Sequence, residues 1–209
     1  MNFIVQGLEY FHKGGFVMYI LLLCSLFVIS IGIERALYFT KADSGRKFTE
    51  KFYHLMANGK LDEAKALAAQ TKGDLALLLQ AGMDKVHKGI NPVNFFEIQS
   101  GISLAKFRSR LYYLSVIVTM APLLGLLGTI SGMISSFSVF NLQEGQASTI
   151  TGGVGEALIA TAMGLCVAIV SLAIHAYFTQ RIDNIVTDME QTFSLVESVD
   201  SRGDTNASS

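Results

Sequence analysis

Three residues in long apolar surroundings could handle a proton: Glu156, Thr129 and Thr161. A carboxyl group placed in hydrocarbon costs several kcal/mol and marks a functional position by default. Desolvation favours its protonated form, while a nearby hydroxyl or water chain moderates that preference, so such a group can bind and release H⁺. The depth of Glu156 depends on where its helix begins. A start near Ser148 or Thr149 buries it two turns inside; a start near Gly155 leaves it at the interface, where it merely caps the helix. Thr129 has two readings as well: a hydroxyl bonded to its own helix, or one facing a polar path. Thr161 lies five residues beyond Glu156, roughly 140° around a helix, so the two share a lumen bounded by several helices or no surface at all. His175, nineteen residues after Glu156, is a possible relay at the far end of the same segment, or an interfacial histidine with ordinary partners.

Other chemistry finds no support. Gly152-Gly153-Val154-Gly155 lacks the lysine of a phosphate loop, and neither a Gly-x-Ser-x-Gly nor a His-Glu-x-x-His motif occurs. Cys24 and Cys166 stand alone in apolar runs, which excludes a disulfide framework and the usual zinc site. No metal, cofactor or enzymatic activity is expected. A net charge of −1 and a pI near 6.4 give no basic field, so a nucleic-acid partner is excluded as well.

The elements that must hold these residues follow from where charge is missing. Of 209 residues 51% are hydrophobic and 16% charged, with a mean hydropathy of +0.43, whereas soluble domains run near 25% charged. No charged residue occurs from Gly14 to Ile33, from Leu111 to Gln143, or between Glu156 and Arg181. Roughly 20 apolar residues cross a hydrocarbon core of about 30 Å. The sequence therefore predicts an all-α membrane protein with transmembrane helices at 16–34, 114–140 and 154–179, the second and third extending into the cytoplasm. Glu34-Arg35-Ala36-Leu37-Tyr38 is no signal-peptide cleavage site.

Thirteen of the sixteen Lys and Arg lie between Arg35 and Arg110, and none lies in 141–153. The positive-inside rule puts residues 1–15 and the 141–153 loop outside the cytoplasm, and 35–113 and 180–209 within it. In the cytoplasmic segment, Leu61, Ala64, Leu67 and Ala68 follow helical spacing. Asn91-Pro92 predicts the start of a helix running through Phe95, Ile98, Ile102, Ala105 and Leu111 into the second span. Ile182, Ile185, Val186, Met189, Phe193 and Val196 continue the third span as an amphipathic stripe, before an unstructured tail at 201–209.

Within the spans, Pro122, Gly125, Thr129, Gly132 and Ser136 share one helix face, and Gly128 and Gly132 form a GxxxG pair. Glu156, Ala160, Gly164, Ala168, Ser171 and His175 form a second small-residue stripe. Such stripes let helix backbones approach in lipid, which assigns Gly125, Gly128, Gly132, Ala160, Gly164 and Ala168 to helix packing.

The run Ala121-Pro122-Leu123-Leu124-Gly125-Leu126-Leu127-Gly128-Thr129-Ile130-Ser131-Gly132-Met133-Ile134, followed by Phe137, resembles the second-span signature of the MotA/TolQ/ExbB proton-channel family. Glu156 to Ile169 is similar to that family's third-span signature, and Ile33-Glu34-Arg35 to the exit of its first span. Three spans and one large cytoplasmic segment match the ExbB/TolQ branch, most like ExbB; the motor-stator branch has four spans. The resemblance implies a homopentamer in the cell inner membrane, with a periplasmic N-terminus and a cytoplasmic C-terminus. Its spans two and three would line a pore around a dimer of single-span ExbD/TolR-like subunits. Proton flow would drive a TonB- or TolA-like partner, and Thr129, Glu156 and Thr161 would carry the family's pore positions. One departure is visible: Val170-Ser171 stands where the family usually has proline after Ala-Ile. A TolQ-like role in envelope integrity and a non-conducting membrane scaffold are the alternatives.

Overall fold

A computed structural model describes residues 15–142 and 147–207, with side chains at 15–138, 152–155 and 157–198. All secondary structure among these residues is helical. Helix α1 is Gly15–Ala42, α2 Arg46–Ala57, α3 Leu61–Gln70, α4 Asp74–His87, α5 Val93–Arg108, α6 Leu111–Leu142 and α7 Ala147–Ala207. Three helices are long and apolar enough to cross a membrane, and no more than 33% of each apolar stretch is buried. Uncovered apolar surface on that scale needs lipid or other protein around it, so the chain is a multi-pass membrane protein.

The chain divides into two compact units. The first comprises residues up to Ile33 and Arg110–Tyr177, and is built from the apolar parts of α1, α6 and α7. The second comprises Glu34–Ser109 and Phe178–Ser209.

In the second unit, short helices are separated by glycines that only this residue type tolerates well. Gly59 (φ +72) and Gly89 (φ +66) end α2 and α4 in the left-handed conformation, their amides bonded back to Met56 and Val86. Gly73 (φ +126) precedes α4 where a Cβ would run into Ser44. The Ser44 hydroxyl accepts from the Ala76 amide at 3.1 Å, capping α4 from a distant part of the chain. Aromatic rings fill the core. Phe39 stacks on Phe107 (5.6 Å) and Phe178 (5.4 Å), and Phe96 on Phe193 (4.1 Å, 10° between planes). Ile182, Ile185, Met189, Phe193 and Val196 are buried along α7, as their spacing predicts. Arg181 donates to Asp43 through Nε and Nη2 at 3.2 and 3.1 Å.

Three features differ from the sequence expectation. The helix starting at Pro92 does not run unbroken into the second span: α5 stops at Arg108 and α6 begins at Leu111. Between them Ser109 is extended (φ −55, ψ 140) and Arg110 is left-handed (φ +69), the one non-glycine with positive φ among the described residues. That conformation costs an L-residue about 1–2 kcal/mol. On α5, Ile98 and Ile102 are exposed, at 61% and 44%, while Phe96, Ser103 and Phe107 turn inward, Phe96 against Phe193 and Phe107 against Phe39. The third long helix begins at Ala147, inside the expected 141–153 loop, and continues to Ala207 through the expected unstructured tail. Neither stretch contains proline, and Gly152, Gly153 and Gly203 cost only about 1 kcal/mol each relative to alanine.

Candidate functional site

The first unit brings the signature segments of α6 and α7 together in antiparallel register. A Cβ on Gly132 would meet the Ala157 Cβ at 3.1 Å, and one on Gly128 would meet the Ala160 Cβ at 2.6 Å. One on Gly125 would meet the Thr161 Cα at 3.0 Å, and one on Gly164 the Ala121 carbonyl at 2.5 Å. The two backbones therefore touch along this length, and larger residues would separate them. Ala157, Ala160, Gly164, Ala168 and Ser171 are buried along α7; Gly125, Gly128 and Ser136 are buried on α6, with Gly132 partly covered. Val17 of α1 approaches the same seam, at 3.6 Å from the Gly128 position.

Hydroxyl groups fix this seam. Thr161 Oγ1 donates across it to the Gly125 carbonyl at 3.1 Å, and Ser171 Oγ to the Leu114 carbonyl at 3.0 Å. Ser171 is fully buried. Its place in the small-residue stripe was legible in sequence, but its cross-helix bond was not, because the acceptor is a backbone carbonyl 57 positions away. Its buried bond anchors this part of α7 to α6.

Thr129 is half-buried at the edge of the seam, and its hydroxyl donates to the Leu126 carbonyl of its own helix at 2.7 Å. With the hydrogen committed there, the oxygen lone pairs remain to accept a bond from water or another donor. The register places Thr129 at an axial level between Ala157 and Thr161 of α7. Glu156 is helical, and its helix starts nine residues earlier at Ala147, which is about 14 Å along the axis. Its side chain lies outside the described residues. The backbone thus brings the levels of Thr129, Glu156 and Thr161 within about two turns of one another. His175 stands four residues beyond Ser171, half-buried, nearly 30 Å along α7 from Glu156. No group of three His, Cys, Asp or Glu is close enough to hold a metal ion among the described residues.

Arg35 escaped notice as more than a charge marking the first span's exit. Its side chain is only 5% exposed, and its Nη1 donates to the Lys106 carbonyl at 3.2 Å. No short-range pattern announces that contact, since the acceptor lies 71 residues away.

A family model described as the MotA/TolQ/ExbB proton channel family matches residues 70–191. Two Synechocystis proteins are similar. The biopolymer transport protein ExbB-like 1 is 32% identical over 80% of this chain and 68% of its own length. ExbB-like 3 is 34% identical over 76% and 78%, respectively. The biopolymer transport protein ExbB of Salmonella typhimurium is 30% identical over 69% of this chain and 62% of its own length.

Proposed function

The chain belongs to the MotA/TolQ/ExbB proton channel family, and from that premise we propose that it is the ExbB-like proton-channel subunit of an inner-membrane energy-transducing motor. Membership by itself gives a membrane subunit of ExbB/TolQ type. The observation that carries the finer reading is the α6–α7 seam, whose register sets Thr129, Glu156 and Thr161 at neighbouring levels within apolar helices. In this reading five copies surround two single-span ExbD/TolR-like subunits. The partner's own acidic group and Glu156 pass protons along the hydroxyl-bearing wall. The N-terminus faces the periplasm and the C-terminus the cytoplasm, as the distribution of Lys and Arg supports. His175 is a candidate relay toward the cytoplasmic end. One charge moving through 100 mV supplies about 2.3 kcal/mol, so a few protons suffice for a conformational step that a TonB-like protein carries onward.

Glu156→Ala and Thr129→Ala, expressed in place of the native protein, test this. The expected outcome is loss of proton-motive-force-driven outer-membrane uptake while native mass spectrometry still finds pentamers. Full uptake and unimpaired envelope integrity in both variants would sink the proposal. Loss of envelope integrity with uptake intact would move the chain to the TolQ-like role. The tight Gly–Ala seam supports one competing reading, a scaffold that only clusters partners. That reading predicts the reverse pattern, with Gly128→Leu disruptive and Glu156→Ala harmless.

A further inference from the structure

The second unit holds a cleft of about 340 Å³ among α2, α3, α4 and α7, at residues that the proton path does not use. Its interior is apolar. Met56, Met83 and Val196 are buried, at 5%, 8% and 2% exposure, Val86 is half-buried, and Leu61 is exposed beside them. The short helix α3 turns only Ala64 and Ala68 into the core, so it adds little bulk beside α2 and α4. Clefts of about 300–1,000 Å³ with apolar walls and a few polar groups are the common form of small-molecule sites. Methionine suits such walls, because its unbranched, polarisable chain adapts to the shape it meets.

The ionisable residues lining the cleft are Asp62, Lys65 and His87. Lys65 is already engaged, its Nζ on Asp84 Oδ1 at 2.5 Å. That hydrogen bond, with the charges of Lys65, Lys88 and His87, holds the Asp84 carboxyl below the usual carboxylate range. The neighbouring Lys60 is likewise paired, with Glu63 at 2.8 Å. Asp62 makes no side-chain hydrogen bond or ion pair among the described residues. The lining charge left without a partner is therefore negative, and its complement is a cation. We propose that this cleft binds a small amphipathic amine, with its apolar body between Met56, Met83 and Val196 and its ammonium group on Asp62. An anionic amphiphile of the same size would bring like charge against Asp62, and an uncharged one would leave Asp62 to water. The amine would touch four helices of one unit at once, and its binding stabilises that unit by mass action. The proposal does not depend on the proton-channel reading, since no residue is shared.

The test is methyl nuclear magnetic resonance on the full chain in lipid nanodiscs, labelled with ¹³C at its methionine methyl groups. The Met56 and Met83 signals are those lost in Met56→Leu and Met83→Leu. The probes are hexylammonium, hexanol and hexanoate, which share a chain length and differ in head charge. Hexylammonium is expected to shift both signals saturably, with hexanol several-fold weaker and hexanoate weakest. Asp62→Asn should remove the preference, so that hexylammonium and hexanol bind alike. Val196→Phe fills the cleft and should abolish the shifts for every probe. Should that variant fail to fold, Val86→Phe narrows the cleft from a half-buried position and is expected to weaken hexylammonium binding several-fold. The proposal is overturned if neither signal shifts saturably, or if hexanoate binds as tightly as hexylammonium. An Asp62→Asn chain that keeps the full preference, or a cleft-filling variant that binds as the native chain does, overturns it as well.

Discussion

The two units of this chain solve packing in opposite ways. In the unit containing the signature segments, every described aromatic ring, from Phe16 to Tyr177, is on the outside, and the α6–α7 seam is closed by glycine, alanine and hydroxyl groups. In the unit spanning Glu34–Ser109 and Phe178–Ser209, seven phenylalanines are buried and the charges lie mostly outside. The reason is the solvent each unit meets. Water drives large apolar side chains together. Lipid is as apolar as leucine and gives no such drive, so helices associate through close backbone contact and a few hydrogen bonds. The difference teaches that a bulky side chain contributes to stability in one unit and mainly to the lipid or partner surface in the other.

Substitutions can break or sharpen this contrast, and the largest effect belongs to the ring core. Phe96→Ala removes a fully buried ring stacked on Phe193 and should cost about 3–5 kcal/mol. Phe27→Ala, on a half-exposed ring of the other unit, should cost well under half as much. Denaturant titration followed by circular dichroism in detergent compares them, and equal losses would erase the distinction. Next comes the seam. Gly164→Ala puts a methyl group against the Ala121 carbonyl and should cost about 1–3 kcal/mol, whereas Leu123→Ala, on an exposed face of α6, should be nearly neutral. Thermal melting in the same detergent reads both.

A smaller effect is expected where one hydrogen bond is removed without changing shape. Thr161→Val deletes the donor to the Gly125 carbonyl and should cost about 0.6 kcal/mol, the average for such bonds between membrane helices. A loss above about 2 kcal/mol would show that the hydroxyl does more than bridge the seam. The smallest effect is electrostatic. Burial pushes the Asp74 carboxyl above the usual carboxylate range, against the opposing influence of Lys106. A raised folded-state pKa means that its contribution to stability is present in acid and is lost as pH rises through that pKa. Asp74→Asn should therefore raise Tm slightly at pH 7, with the difference shrinking below about pH 4, the ordinary carboxylate pKa. A Tm that falls at pH 7 would reverse the assignment.

Much of this was legible along the chain. The charge-free runs identified the three long helices, because crossing hydrocarbon requires about 20 residues without charge and few other constraints. The 3.6-residue spacing of Ile182, Ile185, Met189, Phe193 and Val196 identified their buried face, because those residues have one large apolar stripe to bury. On α5 spacing alone selects no buried side. Phe95, Ile98, Ile102 and Ala105 and the competing set Phe96, Ser103 and Phe107 both follow helical spacing, and periodicity cannot rank two adjacent stripes. The break at Arg110 carries no glycine or proline to announce it.

For the candidate site, sequence supplied the residue types and their order, including the acid at 156 and the hydroxyls at 129 and 161. It also supplied the small-residue stripes that allow two helices to touch. Sequence by itself thus determined which segments are helical and apolar, because helix formation and transfer into lipid are local properties of composition and length. Only the tertiary structure decided that Gly125 meets Thr161, that Ser171 anchors on Leu114, that Phe96 rather than Ile98 turns inward, and that Arg35 holds the end of α5. Each of those outcomes is a choice among partners 36 or more residues apart. Such a choice is made by complementary shape and by the need to satisfy buried polar groups, neither of which is written in any short stretch of the chain.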